Sequence, residues 1–252
     1  MQAQSTFNKS TNYVFWIIGI LMIGIALGVS LIANPPETAP FDLLPAILRG
    51  LGVTLQLTAG GAALALVVAL VAGIGRSVPN VIVRTITGVY VEVFRGSSVL
   101  VQMFWIFFVL PLEPFNIELS ALQAGILALG LNVGAYGAEV VRGAIQAIDK
   151  GQIEASVALN MSPALRMRRV IIPQAMVRML PPFGNLLIEL LKATSLASLI
   201  TLSDITFQAS SLWQTVGRIP EVFGLLLVIY FLLAYPLTLG VRWIERQRKW
   251  VS

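Results

Sequence analysis

The stretch at residues 149–182, DKGQIEASVALNMSPALRMRRVIIPQAMVRMLPP, is the longest part of the chain that reads as polar rather than membrane-spanning. Asp149 followed three positions on by Gln152 has the form of a capping box, opening a helix through Ile153, Glu154, Ala155, Ser156, Val157, Ala158 and Leu159. Asn160 suits a left-handed backbone at the end of that helix, since asparagine tolerates the conformation better than other non-glycine residues. Ser162-Pro163 then reads as an N-cap with proline at the first helical position. A second short helix carries Arg166, Arg168 and Arg169, and it is expected to end at or before Ile172 because Pro173 follows. Two short helices joined at a corner make a compact knob. The residues alone leave two uses open: a basic loop lying on headgroups, or a docking element for a partner.

On both sides of this segment the chain is strongly apolar. A helix needs about 20 apolar residues to cross the hydrocarbon core. Candidate spans lie at 13–33, 53–74, 119–141, 183–200 and 222–241. A moderately apolar helix at 81–94, carrying Arg84 and Glu92, and a short Trp/Phe-rich run at 99–110 complete the set. That predicts an all-α integral membrane protein with about six spans, the third being the weakest. The run at 13–33 has no small-residue cleavage motif at its end and reads as a retained first helix.

Composition and charge agree with this layout. The chain has 252 residues, 57% hydrophobic and only 12% charged, with a mean hydropathy of +0.84. A soluble domain needs more charge to cover its surface. With both termini inside, all but three of the seventeen basic residues fall on the cytoplasmic side; the exceptions are Arg49, Arg218 and the intramembrane Lys192. This positive-inside distribution accounts for the net charge of +5 without nucleic acid. The absence of Cys and His removes disulfides, thiol nucleophiles and imidazole chemistry, and no cofactor or metal site is expected. None of the four lysines (Lys9, Lys150, Lys192, Lys249) sits in a phosphate-binding Gly-x-x-x-x-Gly-Lys-Ser/Thr loop. Any ATP hydrolysis must come from another polypeptide.

The knob resembles the coupling-loop signature of binding-protein-dependent ABC importer permeases: Glu-Ala-Ala, three residues, Gly, nine residues, Ile-x-Leu-Pro. Here Glu154-Ala155-Ser156 is followed at the same spacing by Asn160 and by Val170-Ile171-Ile172-Pro173. Four further elements look like the polar amino acid branch, in the same order: Gly52 to Thr58 (GVTLQLT), Arg95 to Gln102 (RGSSVLVQ), Asn132 to Arg142 (NVGAYGAEVVR) with Lys150-Gly151-Gln152, and Thr194 to Ser198 (TSLAS). The run Asn185 to Ile200 is also similar to permeases for compatible solutes such as ectoine and hydroxyectoine. The resemblance implies a type I ABC importer permease fold in the bacterial inner membrane. It divides the chain into an N-terminal helix and external loop (1–45), a permease domain (46–245) with its coupling loop at 149–173, and a basic cytoplasmic tail (246–252). It implies ATP-binding cassette ATPase subunits, a second permease subunit, identical or homologous, an extracytoplasmic solute-binding protein and membrane lipid as partners. The coupling role would fall to Glu154, Ala155, Ser156, Asn160 and Pro173.

Ionisable residues inside spans usually face protein or water, because lipid exposure costs about 2.5–3.5 kcal/mol on insertion scales. Glu189 and Lys192, and likewise Glu139 and Arg142, are three apart and can pair on one helix face. Either they are internal bridges, or they line a path for a zwitterion, with Asn132, Tyr136, Thr194 and Ser195 offering hydrogen bonds. Gly125, Gly130, Gly134 and Gly137 invite close helix packing, within the subunit or between subunits. Phe104, Trp105, Phe107 and Phe108 read as an interfacial belt. Two other classes compete: an ion-coupled secondary transporter, which predicts internal repeats, and a structural subunit of a membrane assembly. An embedded hydrolase lacks the residues for its chemistry.

Overall fold

A computed structural model describes residues 40–248. The expected span at 13–33 and Lys249 lie outside the described residues. All secondary structure within them is helical. A tight 3-10 turn, Pro40–Leu43, leads into α1 (Leu44–Leu48) and then α2 (Leu51–Gly75). Asn80 caps α3 (Val81–Gly96) by accepting from the backbone N–H groups of Ile82 and Val83. After Ser97-Ser98 the chain enters α4 (Val99–Phe104), which widens over Trp105–Val109 so that Leu110 N–H reaches back to the Trp105 carbonyl at 3.2 Å. Ser120 and Gln123 close a reciprocal capping box at the start of α5 (Ala121–Gln146). The knob follows as α6 (Lys150–Ala158) and α7 (Pro163–Arg166); then come α8 (Ile172–Ala193), a 3-10 segment Thr194–Ile200, α9 (Ile205–Val216) and α10 (Ile219–Arg248).

Among the described residues, four stretches are long and apolar enough to cross a bilayer: Leu44–Gly75, Ala121–Gln146, Pro163–Ile200 and Ile219–Glu245. At the weak third span, α3 and the run Val99–Val109 meet at 103°, the form of a broken span or a re-entrant loop. Broken backbone at membrane depth must satisfy its polar groups within protein. The Phe94 carbonyl at this corner accepts from Gln102 Nε2 at 2.9 Å and from Asn132 Nδ2 at 2.8 Å.

The core sits between α2, α5 and α8, around Leu57, Leu129 and Leu190, all buried. Here the α5 glycines find their use. A Cβ at Gly125 would meet Leu57, one at Gly130 would meet Leu64, one at Gly134 would meet Val68, and one at Gly137 would meet Ala69. All four neighbours lie on α2, so the glycine face packs inside the subunit. Of the aromatic belt, Trp105 and Phe108 are exposed, whereas Phe104 and Phe107 pack against the core.

The second knob helix departs from expectation. It does not stop at Ile172; helical backbone runs from Pro163 through Ile200. Pro173 lacks an N–H, and its ring clashes with the carbonyl four residues back in a regular helix. The chain avoids that clash by widening one turn over Met167–Ile171, closed by Ile172 N–H on the Met167 carbonyl. Pro173 therefore sits at the start of α8 and not after a terminus. The fifth span begins well before residue 183 for the same reason, and Pro181 and Pro182 lie inside α8, as neighbouring helices permit in membrane spans.

Candidate functional site

The knob is locally determined. Asp149 caps α6 through Gly151 N–H at 2.7 Å, taking that donor in place of the expected Gln152 reciprocal pair. At the other end Asn160 adopts φ 54°, the left-handed conformation anticipated for it. Met161 N–H bonds the Ser156 carbonyl at 3.1 Å, and Asn160 N–H bonds the Val157 carbonyl at 2.8 Å. This 6→1 and 5→2 pattern is a Schellman motif, which satisfies the last carbonyls of α6 and sets the corner angle. Ser162 then caps α7 through Leu165 N–H.

Burial divides the knob into a base and a crown. Ser156 is 2% exposed and donates to the Ile153 carbonyl at 2.6 Å, while Ile153 packs on the buried cluster of Ile145, Ile148, Ile171 and Ala175. Arg178 of α8 donates to the Ala147 carbonyl and ties the base to the end of α5. Glu154, Ala155 and Asn160 face outward beside Val157 and Leu159, which are 57% and 72% exposed. Two large apolar side chains are thus held outward at the corner. Pro173 is exposed at the base of the knob.

The candidate pathway residues separate into two groups. On α5, Asn132 is occupied by the Phe94 carbonyl, and Tyr136 lies under the Arg95 guanidinium, 5.3 Å from ring centroid to carbon. Glu139 accepts from Arg142 Nη2 at 2.6 Å and also from Arg76 at the end of α2. Arg76 reaches on to Glu92 of α3 at 3.9 Å. Sequence spacing pointed to Arg142 but not to Arg76, since no periodicity links positions 63 apart. In the 3-10 segment that follows α8, Thr194 is buried and donates to the Leu191 carbonyl, and Ser195 donates to the Lys192 carbonyl. Glu189 and Lys192 are exposed. Among the described residues neither forms an ion pair with the other or with any neighbour, although they are one turn apart.

A family model for the binding-protein-dependent transport system inner membrane component matches residues 65–250. The chain belongs to that family. It is similar to the probable amino-acid ABC transporter permease y4tF of Sinorhizobium fredii, 45% identical over 81% of this chain and 87% of that protein. It is also similar to the glutamine transport system permease GlnP of Escherichia coli, 34% identical over 84% and 97%. A crystal structure of an amino acid ABC transporter superposes with a TM-score of 0.76 at 33% identity, covering 82% of this chain and 96% of that one. The inward-facing MetNI methionine ABC transporter shares the fold at 22% identity and a TM-score of 0.63.

The protein is thus a multi-pass permease subunit of an ABC importer in the inner membrane, with the type I importer permease fold. Permeases of this family carry no catalytic centre; a separate ATPase subunit hydrolyses ATP, and a binding protein supplies solute.

Proposed function

We propose that this permease conducts a polar amino acid or a similar zwitterion, ectoine and hydroxyectoine included, and that a second permease subunit, identical or homologous, completes the path. The observation that carries this reading is the unpaired, exposed couple Glu189 and Lys192 within a membrane span. Lipid is too costly a surrounding for either charge. A second subunit or a water-filled path must cover that face, and opposite charges one turn apart match the ammonium and carboxylate of a zwitterion. The relatives named for amino acids support the same substrate class. Asn132, Tyr136, Glu139, Thr194 and Ser195 would shape the path from behind, with their side chains already held by the protein.

Coupling enters through the knob at 149–173, with Glu154 and Ala155 at the ATPase surface, Ser156, Asn160 and Pro173 fixing its geometry, and ATPase closure moving α5 and α8 together. Both termini and the basic tail at 246–252 then lie in the cytoplasm, 1–45 forms a first span and external loop, and 46–245 forms the permease domain. The test is reconstitution with the cognate ATPase and binding protein. Glu154→Ala should abolish ATPase docking or uncouple hydrolysis from uptake; Glu189→Gln and Lys192→Gln should raise the KM for uptake and leave docking intact. Full uptake in Glu154→Ala, or wild-type KM in both span variants, contradicts the reading.

A further inference from the structure

The coupling role leaves unassigned a run of arginines at the base of the knob. Arg166, Arg168, Arg169 and Arg178 fall within thirteen consecutive positions. Arg178 is committed to the Ala147 carbonyl. Arg168 and Arg169 are exposed, and among the described residues no carboxylate pairs with either. Both lie in the widened turn Met167–Ile171, which runs without a break into α8. Inward, Ile171, Ala175 and Met179 are buried at helical spacing; outward, Pro173, Met176, Val177 and Leu180 are exposed. The outward stripe is apolar. At 1.5 Å per residue, Met176 lies about 10 Å along the axis from Arg169. With that stripe in hydrocarbon, Arg169 would start just beyond a headgroup layer about 5–8 Å deep, and its long side chain, reaching toward the bilayer, would bring the guanidinium to the lipid phosphates.

We propose that Arg168 and Arg169 form a binding site for the phosphate of an anionic phospholipid in the leaflet on the knob side. The widened turn carries two adjacent, exposed arginines, whose planar, permanently charged donor forks suit phosphate oxygens. A lipid clasped there would anchor the base of the coupling knob to the bilayer, so that displacement of the knob turns α8 instead of sliding it. The assignment rests on the orientation given above, with the knob in the cytoplasm.

The experiment uses the purified permease–ATPase complex in nanodiscs of phosphatidylcholine doped with spin-labelled phosphatidylglycerol, for wild type, Arg168→Gln/Arg169→Gln, Arg168→Lys/Arg169→Lys, and Arg84→Gln as an exposed-arginine control. ATPase docking is measured in parallel in phosphatidylcholine alone. Each basic residue at an anionic surface is worth about a factor of five, so the double glutamine variant should lose about thirtyfold in labelled-lipid association. The lysine variant should keep the charge and most of the association, Arg84→Gln should lose no more than the roughly fivefold of one surface charge, and docking should be unchanged throughout. Equal lipid association in the wild-type and glutamine proteins overturns the proposal. So does loss of docking in the glutamine variant without anionic lipid, which would give these arginines to the ATPase. A wild-type protein that retains the lipid but never docks an ATPase would instead refute the coupling reading of the knob.

Discussion

Glu139 and Arg76, 63 positions apart, form an ion pair that joins α5 to the end of α2. Arg142 holds the second carboxylate oxygen at 2.6 Å, so one acidic side chain is clasped between two guanidinium groups. All three side chains are less than a third exposed. Removing the carboxylate leaves two cations facing each other with little water to solvate them. Glu139→Ala should lower stability by about 1–3 kcal/mol, read as a drop in the thermal unfolding midpoint in detergent. An unchanged midpoint would show that the pair contributes nothing.

Close approach of α2 and α5 depends on glycine. A Cβ at Gly73 would come within 2.7 Å of the Ala138 carbonyl oxygen and crowd the Val141 side chain. Gly73→Val should cost about 1–3 kcal/mol through overpacking. Gly143, on α5 near its end, has nothing within 4 Å of a Cβ. Gly143→Ala should be neutral or gain up to about 1 kcal/mol from helix propensity. Equal unfolding midpoints for the two variants would contradict the packing argument.

The knob corner depends on the backbone of Asn160. Asn160→Gly should keep the Schellman bonds, while Asn160→Val, β-branched at φ 54°, should strain the corner by about 1–2 kcal/mol. Hydrogen exchange of the Met161 amide reports this directly, because that N–H closes the motif on Ser156. Protection should persist in the glycine variant and fall in the valine variant.

Asp204 supplies a pH dependence. It is fully buried at the start of α9; one carboxylate oxygen accepts from Phe207 N–H at 2.8 Å, and among the described residues the other has no hydrogen-bond partner. Burial raises its carboxyl above the ordinary carboxylate value, which is about 3.9 in an unfolded chain. The folded state therefore holds this proton more tightly than the unfolded state does. Its contribution to stability is full below the ordinary value and is lost as pH rises through the raised one. Asp204→Asn keeps the helix cap and should flatten that decline. Unfolding midpoints against pH would coincide for the two proteins if the carboxyl were not perturbed.

The apolar stretches within the described residues, the position of the knob and the caps at Ser162 and Asn160 were readable in the sequence, each for a local reason. A span needs only enough consecutive apolar residues, a cap only the right side chain next to the right amide, and a left-handed corner only a residue that tolerates it.

Other features were decided only by tertiary structure. Pro173 would end an isolated helix, yet in the folded chain a single widened turn absorbs it and α8 continues to residue 193. The α5 glycines could have served a subunit contact; the α2 side chains that fill their hollows assign them inside the chain. Spacing allowed Glu139–Arg142 and Glu189–Lys192 the same pairing, but only the first exists. Local pattern records what a residue can do within one turn of helix. Which of those options it takes depends on groups brought in from distant positions, whose charge and volume no short window contains.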